Sequence, residues 1–376
     1  MSVANRTSHS ANQRARRRAL FCTITQEPGH GGIARVSSLL WQVLRTRQTD
    51  SWELLIATAT PASAITLREK MNFSIRVFWR QVRGNCDLIF FDHIGLARVQ
   101  NLIPRFLRRP YGVFLHSIEA WKPLPQNRVR ILANAKLRVA NSHHTATRVA
   151  AAHPEIGEIQ VCHLTLGLHV PELGLEPNAC NSDAQEQILN QIRPESMLIV
   201  GRMMKEERHK GHDQLIRAWP LVRKAVPDAQ LVIVGGGDDV TRLKELTQSL
   251  GVAGQVFFTG RVDDPTLNAI YERAAAFAMP SRAEGFGLVY LEAMAHRLAC
   301  IGSIHDAAHE IIIDGETGFL VDQEDIENLA SKIIQLLDDH KLRDRFGCRG
   351  FERLRTQFSF QCFENRIVEV LNCLDR

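Results

Sequence analysis

The chain has no pair of cysteines at C-x-x-C spacing. Its eight cysteines, Cys22, Cys86, Cys162, Cys180, Cys300, Cys348, Cys362 and Cys373, stand singly along 376 residues. This argues against a structural zinc ribbon and fits reduced thiols in a cytosolic compartment. Nor is there an apolar run of the ~18 residues that a spanning helix needs. The basic stretch Arg14 to Arg18 is followed by Ala19–Thr25, too short for a secretory core and better read as a first strand. Low-complexity blocks are absent, so disorder is expected only at the ends, chiefly in the polar, basic tail 1–19. A chain of this length exceeds one ordinary core and suits two domains.

Charge is present but unevenly placed. Residues 1–150 carry 23 Lys and Arg against 7 Asp and Glu, and the remainder carries 23 against 34. Such asymmetry predicts that the first half meets something anionic: nucleic acid, a membrane surface or a diphosphate-bearing acceptor.

Short apolar runs alternate with amphipathic stretches, the pattern of parallel α/β units. Ala19–Ile24, Trp52–Ala57, Cys86–Phe91, Tyr111–Leu115 and the run from Leu137 read as strands, with helices over Ile33–Leu44 and MNFSIRVFWRQVRGN. GEIQVCHLTLGL, residues 157–168, reads as the last strand of a first domain, and the Pro-, Asn- and Asp-rich segment after it as a linker. A second series opens at Met197–Val200, followed by Gln230–Val234 and Val256–Val262. The most informative stretch is PSRAEGFGLVYLEAMA, Pro280 to Ala295, a buried strand end, a glycine turn and a helix start. There the glycines let backbone approach a ligand, and the unpaired helix N–H groups suit an anion. Glu284 and Glu292 bracket the turn with seven residues between them. Taken alone, this pair also reads as a surface carboxylate and a helix-end charge.

EGFGLVYLEAMA resembles the glutamate-x7-glutamate motif of the retaining GT-B nucleotide-sugar glycosyltransferases, in particular the large family 4. HDAAHEIIIDGETGFLVD, His305–Asp322, resembles the pattern that follows it there, and RTQFSFQCFENRI its usual ending. The resemblance is strong over 197–322 and thinner before 170. It implies two Rossmann-like domains facing across a cleft, with 20–175 binding acceptor, 176–196 linking, 197–355 binding the nucleotide sugar, and 356–376 forming a helix that crosses back. Family members carry glycine and proline where Arg297 and Ala299 stand here. A left-handed cap at Arg297 costs roughly 1 kcal/mol, which predicts a local rearrangement.

The resemblance also implies roles. Arg202 and Lys210 would hold the donor diphosphate, Glu284 the sugar hydroxyls and Glu292 the ribose. Gly31, Gly32 and the amides around Phe286, Gly287 and Leu288 would meet phosphate, and the loop at Val262 the base. His116, at a strand end, would lie beside the anomeric centre. The implied reaction is metal-independent and cofactor-free retaining transfer of a hexose from a UDP- or GDP-sugar to a saccharide acceptor, in polysaccharide or glycolipid synthesis. A non-catalytic sugar-nucleotide-binding partner subunit, or a related epimerase or phosphorylase, is the alternative. Nucleic-acid binding would explain the basic half but not the two glutamates with Arg202 and Lys210. The arginines Arg76, Arg80 and Arg83, and Arg105, Arg108 and Arg109, lie in two stretches that read as basic amphipathic helices. They predict docking on an anionic membrane beneath a lipid-linked acceptor, from the cytoplasmic face.

Overall fold

The computed structural model describes residues 16–26, 32–47, 49–58, 66–167 and 183–374. Strand and helix alternate from the start: β1 (Arg17–Thr23), α1 (Gly32–Leu44), β2 (Asp50–Ile56), α2 (Leu67–Val82), β3 (Leu88–Phe91) and α3 (Ile94–Ala97). β4 (Tyr111–Leu115), α4 (Gln126–Asn134), β5 (Leu137–Ala140), α5 (His143–Ala152) and β6 (Gln160–Val161) follow. The strand expected over 157–168 is thus two residues long. After α6 (Asp183–Leu189) come β7 (Ser196–Val200), α7 (His212–Ala225), β8 (Gln230–Val234), α8 (Val240–Ser249), β9 (Val256–Gly260) and α9 (Asp264–Arg273). The chain closes with β10 (Ala276–Ala278), α10 (Leu288–Ala295), β11 (Ala299–Ser303), α11 (Ala308–Ile311), β12 (Gly318–Val321), α12 (Ile326–Asp338), α13 (His340–Gln357) and α14 (Phe360–Asn372).

Two six-stranded sheets result, ordered β2-β1-β3-β4-β5-β6 and β12-β11-β10-β7-β8-β9. The strand registers described are all parallel. Strands such as Leu88–Phe91 and Gln230–Val234 are buried along their whole length, as a sheet covered by helices on both faces requires. In the second sheet the order reverses between β7 and β10, so the loops leaving their carboxyl ends flank a crevice. By compactness the chain separates into Met1–Gly112 and Val113–Arg376. The C-terminal end returns to the first sheet, where Lys136 Nζ donates to the Leu374 carbonyl at 2.8 Å, just ahead of β5.

Two expectations are corrected. Arg297 takes φ +56 and completes the left-handed C-terminal turn of α10, with Leu298 N–H bonded to the Ala293 carbonyl at 2.9 Å. No rearrangement avoids the strained conformation. Its guanidinium lies over the Phe351 ring, 4.8 Å from the centroid. The stretch 98–109 is not an amphipathic α-helix but two 3-10 turns, Arg98–Leu102 and Arg105–Leu107. Pro104 removes a donor and forces Ile103 to an extended φ of −100 and ψ of 127, which ends the first turn.

α2 forms as read, started by a capping box in which Thr66 and Glu69 satisfy each other's N–H groups. It buries Phe73, Val77 and Gln81. The apolar face expected from Met71, Ile75, Phe78 and Val82 is split, with the first two exposed and the last two half-buried.

Candidate functional site

Two loops build the crevice. The first leaves β7 at Gly201 and carries Arg202, and it ends at Lys210 just before α7. Glu207, half-way along, makes ion pairs with both cations: its carboxylate meets Arg202 Nη2, and Lys210 Nζ at 3.1 Å. Sequence reading missed Glu207, since nothing in KEERHK distinguishes a bridging carboxylate from a solvated one. The loop is pinned to its neighbour, where Arg282 N–H donates to the His209 carbonyl at 2.9 Å. His212 is almost wholly buried at the start of α7. Burial, with the Lys210 charge adding, pushes its pKa down to about 4, so its ring is neutral at pH 7.

The second loop follows β10 and holds the glutamate motif. Gly285 packs against the first sheet's strand end: a Cβ there would stand 2.3 Å from the His116 carbonyl oxygen. The Gly285 carbonyl accepts from Ser142 Oγ at 2.6 Å and Thr145 Oγ1 at 3.1 Å. Gly287 has φ +97 and serves as N-cap of α10. Only glycine fits, because a side chain would collide with the Tyr290 ring. No side chain caps α10; the Tyr290 N–H turns back to the Gly287 carbonyl at 3.0 Å, and the N–H groups of Leu288 and Val289 face out for a ligand. The Phe286 ring is buried against His163 and Phe358, so that residue can offer a ligand only its backbone.

Glu284 keeps an exposed edge, yet its carboxyl is desolvated. Burial raises its pKa, Lys210 opposes the shift and Glu207 adds to it. Those influences bring Glu284, Lys210 and Glu207 into one electrostatic group. Behind Glu284 lies Asp306, fully buried, which sequence reading did not single out. Asp306 Oδ2 accepts the Glu284 N–H at 3.3 Å and Oδ1 the Ala308 N–H at 2.9 Å. The Glu284 carbonyl accepts the Ala307 N–H at 3.2 Å in return. Burial pushes the Asp306 carboxyl well above the carboxylate range despite these donors, with Glu284 adding repulsion. Glu292, in the second turn of α10, accepts from Tyr271 Oη at 3.0 Å. Val262 lies half-exposed just past β9.

The structure therefore brings together Arg202, Lys210, Glu284, Phe286, Gly287, Leu288 and the His116 backbone. The His116 ring is buried against Phe114. Gly32 opens α1 in the first compact unit, with open space where a Cβ would be. Gly31 and the linker segment 176–182 lie outside the described residues.

The profile of the family "Glycosyl transferases group 1" matches residues 182–353. A GDP-mannose-dependent alpha-(1-6)-phosphatidylinositol monomannoside mannosyltransferase of Mycolicibacterium smegmatis is 31% identical over 262 residues, covering 67% of each chain. Among solved structures, sucrose-phosphate synthase from Thermosynechococcus elongatus superposes with a TM-score of 0.77 at 20% identity, over 96% of this chain and 99% of that one. Anabaena HepE in complex with UDP and glucose gives 0.69 at 20% identity, over 95% and 99%. These two likenesses fix the fold as GT-B.

Proposed function

Because this chain belongs to the glycosyl transferases group 1 family, we propose that it transfers a hexose from a nucleotide-diphosphate sugar to a saccharide carried on a lipid. Transfer occurs with retention at the anomeric carbon and without a metal on the diphosphate. The observation that carries this reading is the grouping at the switch point of the second sheet. Two cations after β7, a desolvated glutamate after β10 and an uncapped helix N-terminus share one crevice. The relative named for GDP-mannose and a phosphatidylinositol mannoside supports a GDP-sugar donor and a glycolipid acceptor. UDP, as held by HepE, is the second candidate.

In this reading Arg202 and Lys210 take the diphosphate, shifting off Glu207, and stabilise the charge that grows as the sugar leaves. The N–H groups of Gly287 and Leu288 supply further donors. Glu284 holds the sugar hydroxyls and fixes the anomeric carbon, Glu292 takes the ribose diol, and the backbone at Val262 meets the base. The bond from anomeric carbon to phosphate oxygen breaks while the acceptor oxygen bonds on the same face, near His116. The acceptor's proton passes to the departing diphosphate. The rate gain is positional and electrostatic.

Among the described residues no helix is long and apolar enough to cross a membrane. We place the protein on the cytoplasmic face, held there by the exposed apolar and basic surface of the first unit.

The test is a thermal-shift panel of GDP, UDP and ADP, followed by transfer from the matching sugar nucleotide in excess chelator. A ligand at 100 times its Kd stabilises by about 2.7 kcal/mol, so the preferred base should stand out. An α-linked product from an α-linked donor is expected. A chain that binds no nucleotide diphosphate, or turns over only when magnesium or manganese is restored, overturns the reading.

A further inference from the structure

A second cluster lies behind the glutamate loop and takes no part in the chemistry above. His143 opens α5, His163 follows β6, and Glu310 stands in α11. One ligand atom from each falls within 4.8 Å of the other two. From this geometry we infer that His143, His163 and Glu310 form a binding site for a divalent transition-metal ion of the zinc class.

Two of the three ligands are already held in place. Glu310 Oε1 accepts the His144 N–H at 2.6 Å, and Oε2 accepts the His143 N–H at 2.8 Å. The carboxylate is thereby fixed across the N-terminus of α5, and Oε2 keeps a second lone pair. That lone pair meets His163 Nε2 at 2.7 Å. The His163 ring stacks on Phe286, centroids 5.9 Å apart, and meets the edge of Phe358 at 6.0 Å, which fixes its plane. The third ligand is the adjustable one. The His143 side chain is exposed, and its ring stands edge-on to His163 with centroids 5.4 Å apart.

Tetrahedral zinc ligands at 2.0–2.2 Å from the ion lie about 3.4 Å from one another. An ion would replace the hydrogen between His163 and Glu310 and widen that 2.7 Å pair by about 0.7 Å. The exposed His143 ring would swing in to complete three ligands. Two imidazoles and one carboxylate suit zinc, cobalt or nickel, whereas magnesium and calcium take oxygen. Three protein ligands leave a fourth position for water on the exposed side.

The site has a structural consequence. Ser142 and Thr145, beside His143, are the side chains that hold the Gly285 carbonyl. An ion joining α5 to α11 would therefore tie down the segment that steadies the glutamate loop. Its occupancy can be read without any sugar nucleotide.

The experiment uses the full chain, stripped with chelator, dialysed and titrated with Co2+ and separately with Zn2+. One equivalent of Co2+ should bind with the intense visible bands of a four-coordinate site, and Zn2+ should displace it and raise Tm. Mg2+ should do neither. His143→Ala and His163→Gln should each weaken Zn2+ binding at least about tenfold, as removal of a ligand or its support does. His144→Ala should leave binding intact. Because His143 is exposed, its variant tests the site without disturbing packing. Absence of stoichiometric binding, or equal affinity in wild type and both ligand variants, overturns the proposal.

Discussion

Asp306 and Glu284 put two carboxyl groups where little water reaches them, one holding the other's backbone. Both have pKa values raised, first by burial and then by like charge nearby. A carboxyl raised on folding contributes its stability below its unfolded pKa, about 4, and loses it as pH rises through the folded value. Wild type should therefore forfeit stability between acid and neutral pH on account of this pair. Asp306→Asn keeps the shape of the neutral acid, with one oxygen for the Ala308 N–H, and cannot ionise. Its stability relative to wild type should rise between about pH 4 and pH 7, offset by a loss common to every pH where its amide nitrogen faces the Glu284 N–H. Melting temperatures across pH decide this. A variant whose deficit grows as pH rises from acid to neutral would show that Asp306 is ionised and held by its donors. Glu284→Gln should instead lower turnover about a hundredfold, the scale of one preorganised electrostatic contact, with the fold intact. The two glutamates were legible in the sequence because their spacing is local to one turn and helix. Asp306 and Glu207 were not, since burial and ion pairing across loops leave no mark on neighbouring residues.

At the scale of elements, most strands and helices follow from apolar periodicity, and the exceptions have local causes. Pro104 breaks what composition alone would make a helix. Arg297 holds a left-handed conformation that its side chain disfavours, because α10, β11 and α13 all determine it. Gly347 in α13 shows how tightly: a Cβ there would lie 1.8 Å from the Arg297 carbonyl oxygen and 2.7 Å from its carbon. The first glycine in RFGCRG carries no such message in the sequence, where it merely looks like a weak spot in a helix. Helix propensity predicts that Gly347→Ala gains roughly 1 kcal/mol. The contact predicts the opposite sign, since backbone cannot yield as a side chain would. Overpacking of this kind costs about 1–3 kcal/mol or more. We expect a net loss in denaturant unfolding, and a gain would show that α13 can move away from the α10 terminus.

At the scale of the whole molecule, the division into two α/β sheets was legible from alternation and length, and the strand order was not. The lopsided charge was equally plain, and the structure shows what accompanies it in the first unit. Along α2, Leu67, Met71, Ile75 and Trp79 recur every four residues, exposed by 75%, 55%, 50% and 47%. Past Arg98, Leu102 and Phe106 are exposed by 68% and 85%. Four turns of unburied apolar side chain is more than scattered surface residues explain. The arginines divide. Arg80 is paired with Glu53, Arg108 donates to the Ile103 carbonyl at 2.7 Å, and the Arg109 N–H is bonded to Gln81. Arg76, Arg83 and Arg105 are exposed, with Arg83 lying over the Trp79 ring at 5.0 Å. Apolar side chains entering the headgroup layer with exposed cations beside them suit an anionic bilayer, each near-surface cation contributing ~1 kcal/mol. Reversing Arg76, Arg83 and Arg105 to glutamate should therefore lower partitioning to anionic liposomes by at least about a hundredfold, while nucleotide affinity stays unchanged. Ile75→Ser with Trp79→Ser should weaken binding even at high salt, because the apolar contribution is not screened. Flotation across lipid charge and ionic strength separates the two contributions. Binding that is absent, or indifferent to both lipid charge and salt, would remove the membrane from the account and make a soluble acceptor the better reading.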